Sequence, residues 1–201
     1  MAEILVTGFE PFGGSAVNPS GEAARALDGS VVNGNHALGV VLPVSWAESH
    51  RELYRAIEDV KPDVILCLGQ SGRGFIALER IAINCCEGPD NEGVEGSGRP
   101  AICGAPDGLF SQLPLGCLKD AVNRAGIPAE ISNSAGTYLC NYVMYGLLHY
   151  LGEAGSDTLA AGFVHVPSLP GQVVTGKGRG KPSMSQDVIN EAVRVMLSTL
   201  A

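Results

Sequence analysis

Apolar and β-branched runs bounded by glycine, proline or asparagine recur at Ile4–Thr7, Leu38–Leu42, Val64–Leu68, Ile76–Asn84, Ala129–Ser132 and Ala160–Val166. Their brevity and near-continuous apolar character predict β-strands. Between them, apolar residues return at helical spacing over Ser20–Leu27, Ser45–Asp59, Leu115–Ala125, Cys140–Leu151 and Ser185–Leu200, the Cys140 segment reading as an amphipathic helix. Strands buried on both faces and alternating with helices imply an α/β fold, a mostly parallel twisted sheet with helices on both sides. The run Ile76–Asn84 interrupts that rhythm and predicts an adjoining antiparallel strand pair. Two glycine-rich segments, Cys86–Gly108 and Pro167–Pro182, exceed what a connection needs, as lids or disordered arms do.

Composition narrows the picture. The 201 residues, 45% hydrophobic and 17% charged, suffice for one substantial core, so residues 1–201 read as a single domain. A formal net charge of −8, with no cluster of Lys and Arg and no aromatic ladder, argues against nucleic acid as a partner. The opening Met1-Ala-Glu-Ile-Leu-Val-Thr-Gly8 has no basic region of a secretion signal, and no stretch approaches the roughly 20 apolar residues of a membrane span. A soluble, cytoplasmic protein is expected.

Cys67, Cys85, Cys86, Cys103, Cys117 and Cys140 are dispersed without CxxC or Cys/His ligand spacing, so no metal site is expected. Most of them read as reduced core residues, Cys67 in its apolar strand being the clearest case.

Cys140 differs. It follows the turn-forming Ser132-Asn-Ser-Ala-Gly-Thr137 at the start of a predicted helix, where the peptide dipole and free N–H groups favour a thiolate and can hold an oxyanion. A nucleophile there needs a base. His165 closes the strand Ala161-Gly-Phe-Val-His165, and either a base or a structural core histidine fits that place. His149, nine residues along the helix from Cys140, lies roughly 13 Å away, too far for direct transfer; His36 and His50 read as loop or helix-surface residues. Glu79 lies in an apolar β-like run, where a carboxylate is costly unless paired. A histidine partner, an ion pair with Arg80 and solvent exposure all fit it. A thiol, an imidazole and a carboxylate together suit acyl transfer.

These residues resemble a family. Val6-Thr-Gly-Phe-Glu-Pro-Phe-Gly-Gly14 with Asn18-Pro-Ser20, Leu68-Gly-Gln-Ser-Gly-Arg73, Glu79-Arg-Ile-Ala-Ile-Asn84, Pro89-Asp-Asn-Glu-Gly93, Ser134-Ala-Gly-Thr-Tyr-Leu-Cys-Asn141 and Gly162-Phe-Val-His-Val-Pro167 are similar, in order, to blocks of the pyroglutamyl peptidase I family of cysteine exopeptidases. The resemblance implies Cys140 as nucleophile, His165 as base and acid, and Glu79 as the group orienting the histidine. It also implies removal of N-terminal pyroglutamate from peptides with no metal or cofactor, on an α/β fold that assembles as a homo-oligomer, commonly a tetramer. Phe9 and Phe12 would sandwich the pyroglutamyl ring, plain core packing being the other reading of both, and Gln70 would order the site.

One block departs from the family. Its members commonly carry Ala-Arg-Ile before Pro-Asp-Asn, an arginine associated with the oxyanion, whereas here Glu87-Gly88 leads directly into Pro89. Loss of one oxyanion donor costs on the order of 100-fold in rate. Arg73, Arg80 and Arg99 are the replacements in view, and a catalytically weak homologue that binds blocked peptides is the alternative function. A nucleotide-binding role is weaker still, because Gly8-Phe-Glu-Pro-Phe-Gly-Gly14 lacks GxGxxG spacing and a Walker lysine.

Overall fold

In a computed structural model of the protein, which describes residues 3–155, 158–174 and 178–200, a mixed seven-stranded sheet is covered by helices on both faces. The elements are β1 (Glu3–Phe9), α1 (Pro19–Leu27), β2 (Ser30–Val32), β3 (Asn35–Leu42), α2 (Ser49–Val60), β4 (Val64–Ser71), β5 (Ile76–Glu79), β6 (Ile81–Ile83), β7 (Gly108–Phe110), α3 (Leu115–Arg124), β8 (Ala129–Ser132), α4 (Leu139–Ala154), β9 (Ala160–Pro167) and α5 (Gln186–Leu200). The sheet order is β2-β3-β1-β4-β9-β5-β8. β3, β1, β4 and β9 run parallel; β5 is antiparallel to β9, and β8 is parallel to β5.

The period of two along each strand divides the core. Ile4 and Val6 of β1, Leu66 and Leu68 of β4, and Val164 and Val166 of β9 face residues of α1, α3 and α5. Leu5, Ile65, Cys67, Ala161 and Phe163 face residues of α2 and α4. By the same alternation Gly69, Glu79 and His165 fall on the α4 side, which is where Cys140 lies. Two short strands without a clear apolar run, β2 and β7, complete the picture; β7 pairs with β6 in a separate two-stranded sheet.

Several expectations need correction. The run Ile76–Asn84 is two strands, because the chain leaves the main sheet at Arg80 and pairs with β7 instead. Helix α2 starts four residues later than expected, since Asp90 draws the Trp46 N–H into a 3.0 Å hydrogen bond ahead of the helix. Helix α4 is not amphipathic over its middle: Asn141 through Leu148 are all buried, between the sheet on one side and α2 and the β6–β7 pair on the other. The 86–108 segment is also no disordered arm. Bridges Cys86–Arg99 and Pro89–Glu95 fold it back on itself, and Asp90 accepts from the N–H groups of Trp46, Glu92 and Val94. Within 167–182, a 3-10 turn spans Pro170–Val173, and residues 175–177 lie outside the described residues. Cys103 and Cys117 are exposed, so they do not fill the core as Cys67 and Cys86 do.

Candidate active site

The strand β8 ends at Ser132, and the Ser132–Thr137 turn carries the chain into α4, whose N-cap is Tyr138. Cys140 is therefore the second residue of the helix. No side-chain hydrogen bond caps this N-terminus. The first intrahelical bond runs from the Tyr142 N–H to the Tyr138 carbonyl, which leaves the N–H groups of the first turn directed outward beside the thiol. Asn141 holds the next position rigidly. Its amide donates to the carbonyls of Ile83 and Cys85 at 2.8 and 3.1 Å and accepts from the Ile83 N–H at 2.8 Å, tying the helix start to β6.

The thiol rests against β4. A Cβ on Gly69 would lie 2.6 Å from Cys140 Sγ and 2.7 Å from the Phe163 ring, so only glycine admits the sulfur here. Gly8 serves similarly one strand away: a Cβ there would stand 2.1 Å from the Ser20 carbonyl oxygen. That close approach of α1 lets Ser20 Oγ accept from the Phe9 N–H at 3.1 Å and places Phe9 at the site.

His165 lies within β9, on the register position opposite Gly69. Its Nδ1 is 2.7 Å from Glu79 Oε1, and its ring and the Cys140 thiol line the same cavity. Glu79, at the end of β5, has no solvent exposure and His165 only 6%. Burial acts to lower the His165 pKa, but the Cys140 sulfur, by charge and hydrogen bond, and then the Glu79 carboxylate outweigh it and raise the pKa from 6.5 to about 9. The structure thus brings together all three residues named from sequence, in the order thiol, imidazole, carboxylate. Such a set can form a thiolate paired with an imidazolium.

Around them lies a cavity of about 160 Å³ lined by Phe9, Phe12, Asn18, Val44, Gln70, Ala135, Tyr138, Leu139, Cys140 and His165. Phe9 is the last residue of β1 rather than a loop residue; Phe12 is in the loop that follows. The lining holds no carboxylate and no cation other than His165 when protonated. Gln70 donates to Ser168 Oγ at 3.0 Å and pairs with Gln172 at 3.3 Å, and Gln172 in turn donates to Ser15 Oγ at 2.8 Å. This chain of amides fastens the Phe12 loop to the ends of β4 and β9. Asn18 ties the other end of the loop to the start of α1, accepting from Ser20 and donating to the Glu10 carbonyl.

The candidate arginines go elsewhere. Arg73 donates to Glu79 Oε1 and to the Ser134 carbonyl, Arg80 donates to Asn133 Oδ1, and Arg99 lies 5.9 Å over the Trp46 ring. The other histidines lie apart from the site. His36 is an exposed strand residue and His149 a half-buried helix residue. His50, expected at the surface, is buried: its ring stacks on Tyr142 at 3.5 Å and its Nε2 is 2.7 Å from the Tyr142 carbonyl, and burial lowers its pKa to about 4. Among the described residues no group of three or more His, Cys, Asp or Glu could hold a metal ion, and no helix is long and apolar enough to cross a membrane.

Sequence reading did not single out Asn141, Tyr138 or Gly69. Asn141 and Gly69 do stand next to Cys140 and Gln70 in the chain, and that adjacency was the available signal. Tyr138 donates to the Pro89 carbonyl at 2.7 Å and meets Trp46 edge-on at 5.6 Å, so it closes one wall of the cavity against the 86–108 segment.

The chain is 43% identical over 200 residues to a pyrrolidone-carboxylate peptidase of Pyrococcus furiosus, covering 97% of this chain and 96% of that protein. It is 41% identical to one from Klebsiella pneumoniae, covering 98% and 92%. Among solved structures, a pyrrolidone carboxyl peptidase from Thermococcus litoralis superposes with a TM-score of 0.94 at 38% identity, over 99% of this chain and 93% of that one. A mutant of the Pyrococcus furiosus enzyme does so with a TM-score of 0.94 at 42% identity, over 98% and 97%. A sequence model described as pyroglutamyl peptidase matches residues 2–201, and the chain belongs to the pyroglutamyl peptidase family.

Proposed function

We propose that the protein hydrolyses the amide bond after an N-terminal pyroglutamyl residue, with Cys140 as nucleophile, His165 as general base and acid, and Glu79 as the group that orients the imidazole. The observation that carries this reading is the 2.7 Å hydrogen bond from His165 to the buried Glu79, with the His165 ring and the Cys140 thiol lining one small, mostly apolar cavity. His165 takes the thiol proton, and the sulfur attacks the pyroglutamyl carbonyl carbon. The outward N–H groups at the start of α4 stabilise the oxyanion. His165 then protonates the leaving amine, and water cleaves the thioester with the imidazole again as base. Glu79 keeps Nδ1 protonated throughout, so that Nε2 faces the sulfur.

The cavity suits the substrate. A pyroglutamyl group has a neutral lactam where other peptides carry an ammonium, and the lining offers aromatic and aliphatic walls with no carboxylate to hold an ammonium. Phe9 and Phe12 form the walls of this slot, and Gln70 holds the Phe12 loop in place. A pyroglutamyl arylamide should be hydrolysed at least 100-fold faster, in kcat/KM, than the prolyl arylamide, which has the same ring but a cationic amine. Comparable rates on the two would refute the assignment. By the family resemblance the working form is a cytoplasmic tetramer; a monomer in sedimentation at assay concentration would contradict the oligomeric state.

A further inference from the structure

Glu79 Oε1 serves two donors at once. His165 Nδ1 stands 2.7 Å away and Arg73 Nη1 2.9 Å, while Arg73 Nη2 reaches the Ser134 carbonyl at 3.2 Å. Arg73 comes from the turn between β4 and β5, Glu79 from β5, and Ser134 from the turn that leads into the nucleophile's helix. One guanidinium therefore joins the base side of the site to the nucleophile side. Its planar fork supports two directed bonds at fixed separation, which an ammonium does not.

Charge gives a second reason for it. A thiolate, an imidazolium and a carboxylate together leave one net negative charge in a region where Glu79 is fully buried and His165 nearly so. A buried unbalanced charge is costly, and the Arg73 guanidinium, about one-third exposed, neutralises it. The other titratable or charged groups near the set are Tyr138, on the cavity wall and donating to Pro89, and Arg80, which is exposed and bonded to Asn133. Neither contacts Glu79 among the described bonds.

We propose that Arg73 is a positioning residue for the reaction, holding Glu79 against His165 and balancing the charge of the thiolate, imidazolium and carboxylate set. This rests on the catalytic roles given above. Removing the positive charge makes every proton in the set harder to lose, so both limbs of the pH profile move the same way, to higher pH.

The test compares wild type, Arg73→Met and Arg73→Lys by two readouts. One is the pH dependence of kcat and KM on a pyroglutamyl arylamide. The other is the pH dependence of Cys140 alkylation by iodoacetamide, followed by peptide mass spectrometry so that the exposed Cys103 and Cys117 do not contribute. In Arg73→Met, kcat should fall on the order of tenfold with KM within about twofold, and both limbs should rise by about one pH unit. Arg73→Lys should keep the limbs near wild type and recover part of kcat. A Met variant whose limbs match wild type, or whose loss lies in KM alone, would overturn the proposal. The alkylation readout needs no turnover, so a failure of the peptidase assignment shows in the wild type and is separable from a failure of the Arg73 role; if Arg73→Met does not fold, a reduced kcat with limbs near wild type in Arg73→Lys supports the proposal, and shifted limbs or an undiminished kcat refutes it.

Discussion

His165 lies between the Cys140 sulfur and the Glu79 carboxylate, and both favour its protonated form strongly enough to offset burial. Its folded-state pKa of about 9 stands above the ordinary 6.5. The folded protein therefore binds more protons than the unfolded chain in that interval, and stabilisation from this pair is complete below pH 6.5 and lost as pH rises through 9. For the free enzyme the same proton is the one later given to the leaving amine. kcat/KM on a pyroglutamyl arylamide should accordingly decline above about pH 9, and a His165→Gln variant should lose on the order of 1000-fold or more in rate with no such limb. An unchanged rate in that variant would remove the histidine from the mechanism. Each of these three residues was legible because it stood in an unusual local setting: a thiol at a turn-to-helix join, a histidine closing an apolar strand, a carboxylate inside one. The Arg73 contact was not legible in the same way. Arg73 and Glu79 are six residues apart, but Ser134 is 61 away from Arg73, and only the β5–β8 pairing brings them together.

At the scale of elements, α4 does the most. Its first turn presents Cys140, its second and third are buried against α2 and the sheet, and Gly146 lets His50 of α2 pack flat on Tyr142. His50 is neutral in this packing, its pKa lowered by burial to about 4. Here the sign is opposite to that of His165. Between pH 6.5 and about 4 the unfolded chain binds the extra proton, so stability falls as pH falls through that window. Urea midpoints should drop over this range, and His50→Gln, which keeps a donor for the Tyr142 carbonyl, should flatten the drop. A midpoint that holds steady from pH 6.5 to 4 in wild type would count against the buried neutral imidazole. The helices and the long strands followed from apolar periodicity. The three-residue strands β2 and β7 did not, because their runs are too short to show a period, and the break at Arg80 did not, because Ile76–Asn84 is apolar on both sides of it.

For the molecule as a whole, sheet alternation decides where chemistry is possible. His165, Glu79 and Gly69 share the face covered by α4, and the strand order places β4, β9 and β5 side by side beneath Cys140. The 86–108 segment, in which Glu87-Gly88 leads into Pro89, is pinned to this face through Trp46, Asp90 and Tyr138. In the proposed mechanism the outward N–H groups at the start of α4 are the oxyanion donors. The most direct measurement is hydrolysis of a pyroglutamyl arylamide by wild type and by Cys140→Ala, with folding of both checked by circular dichroism. The account predicts turnover by the wild type and none above background by a fully folded Cys140→Ala. Robust turnover by that variant, or a wild type that binds the reporter without cleaving it, would contradict it.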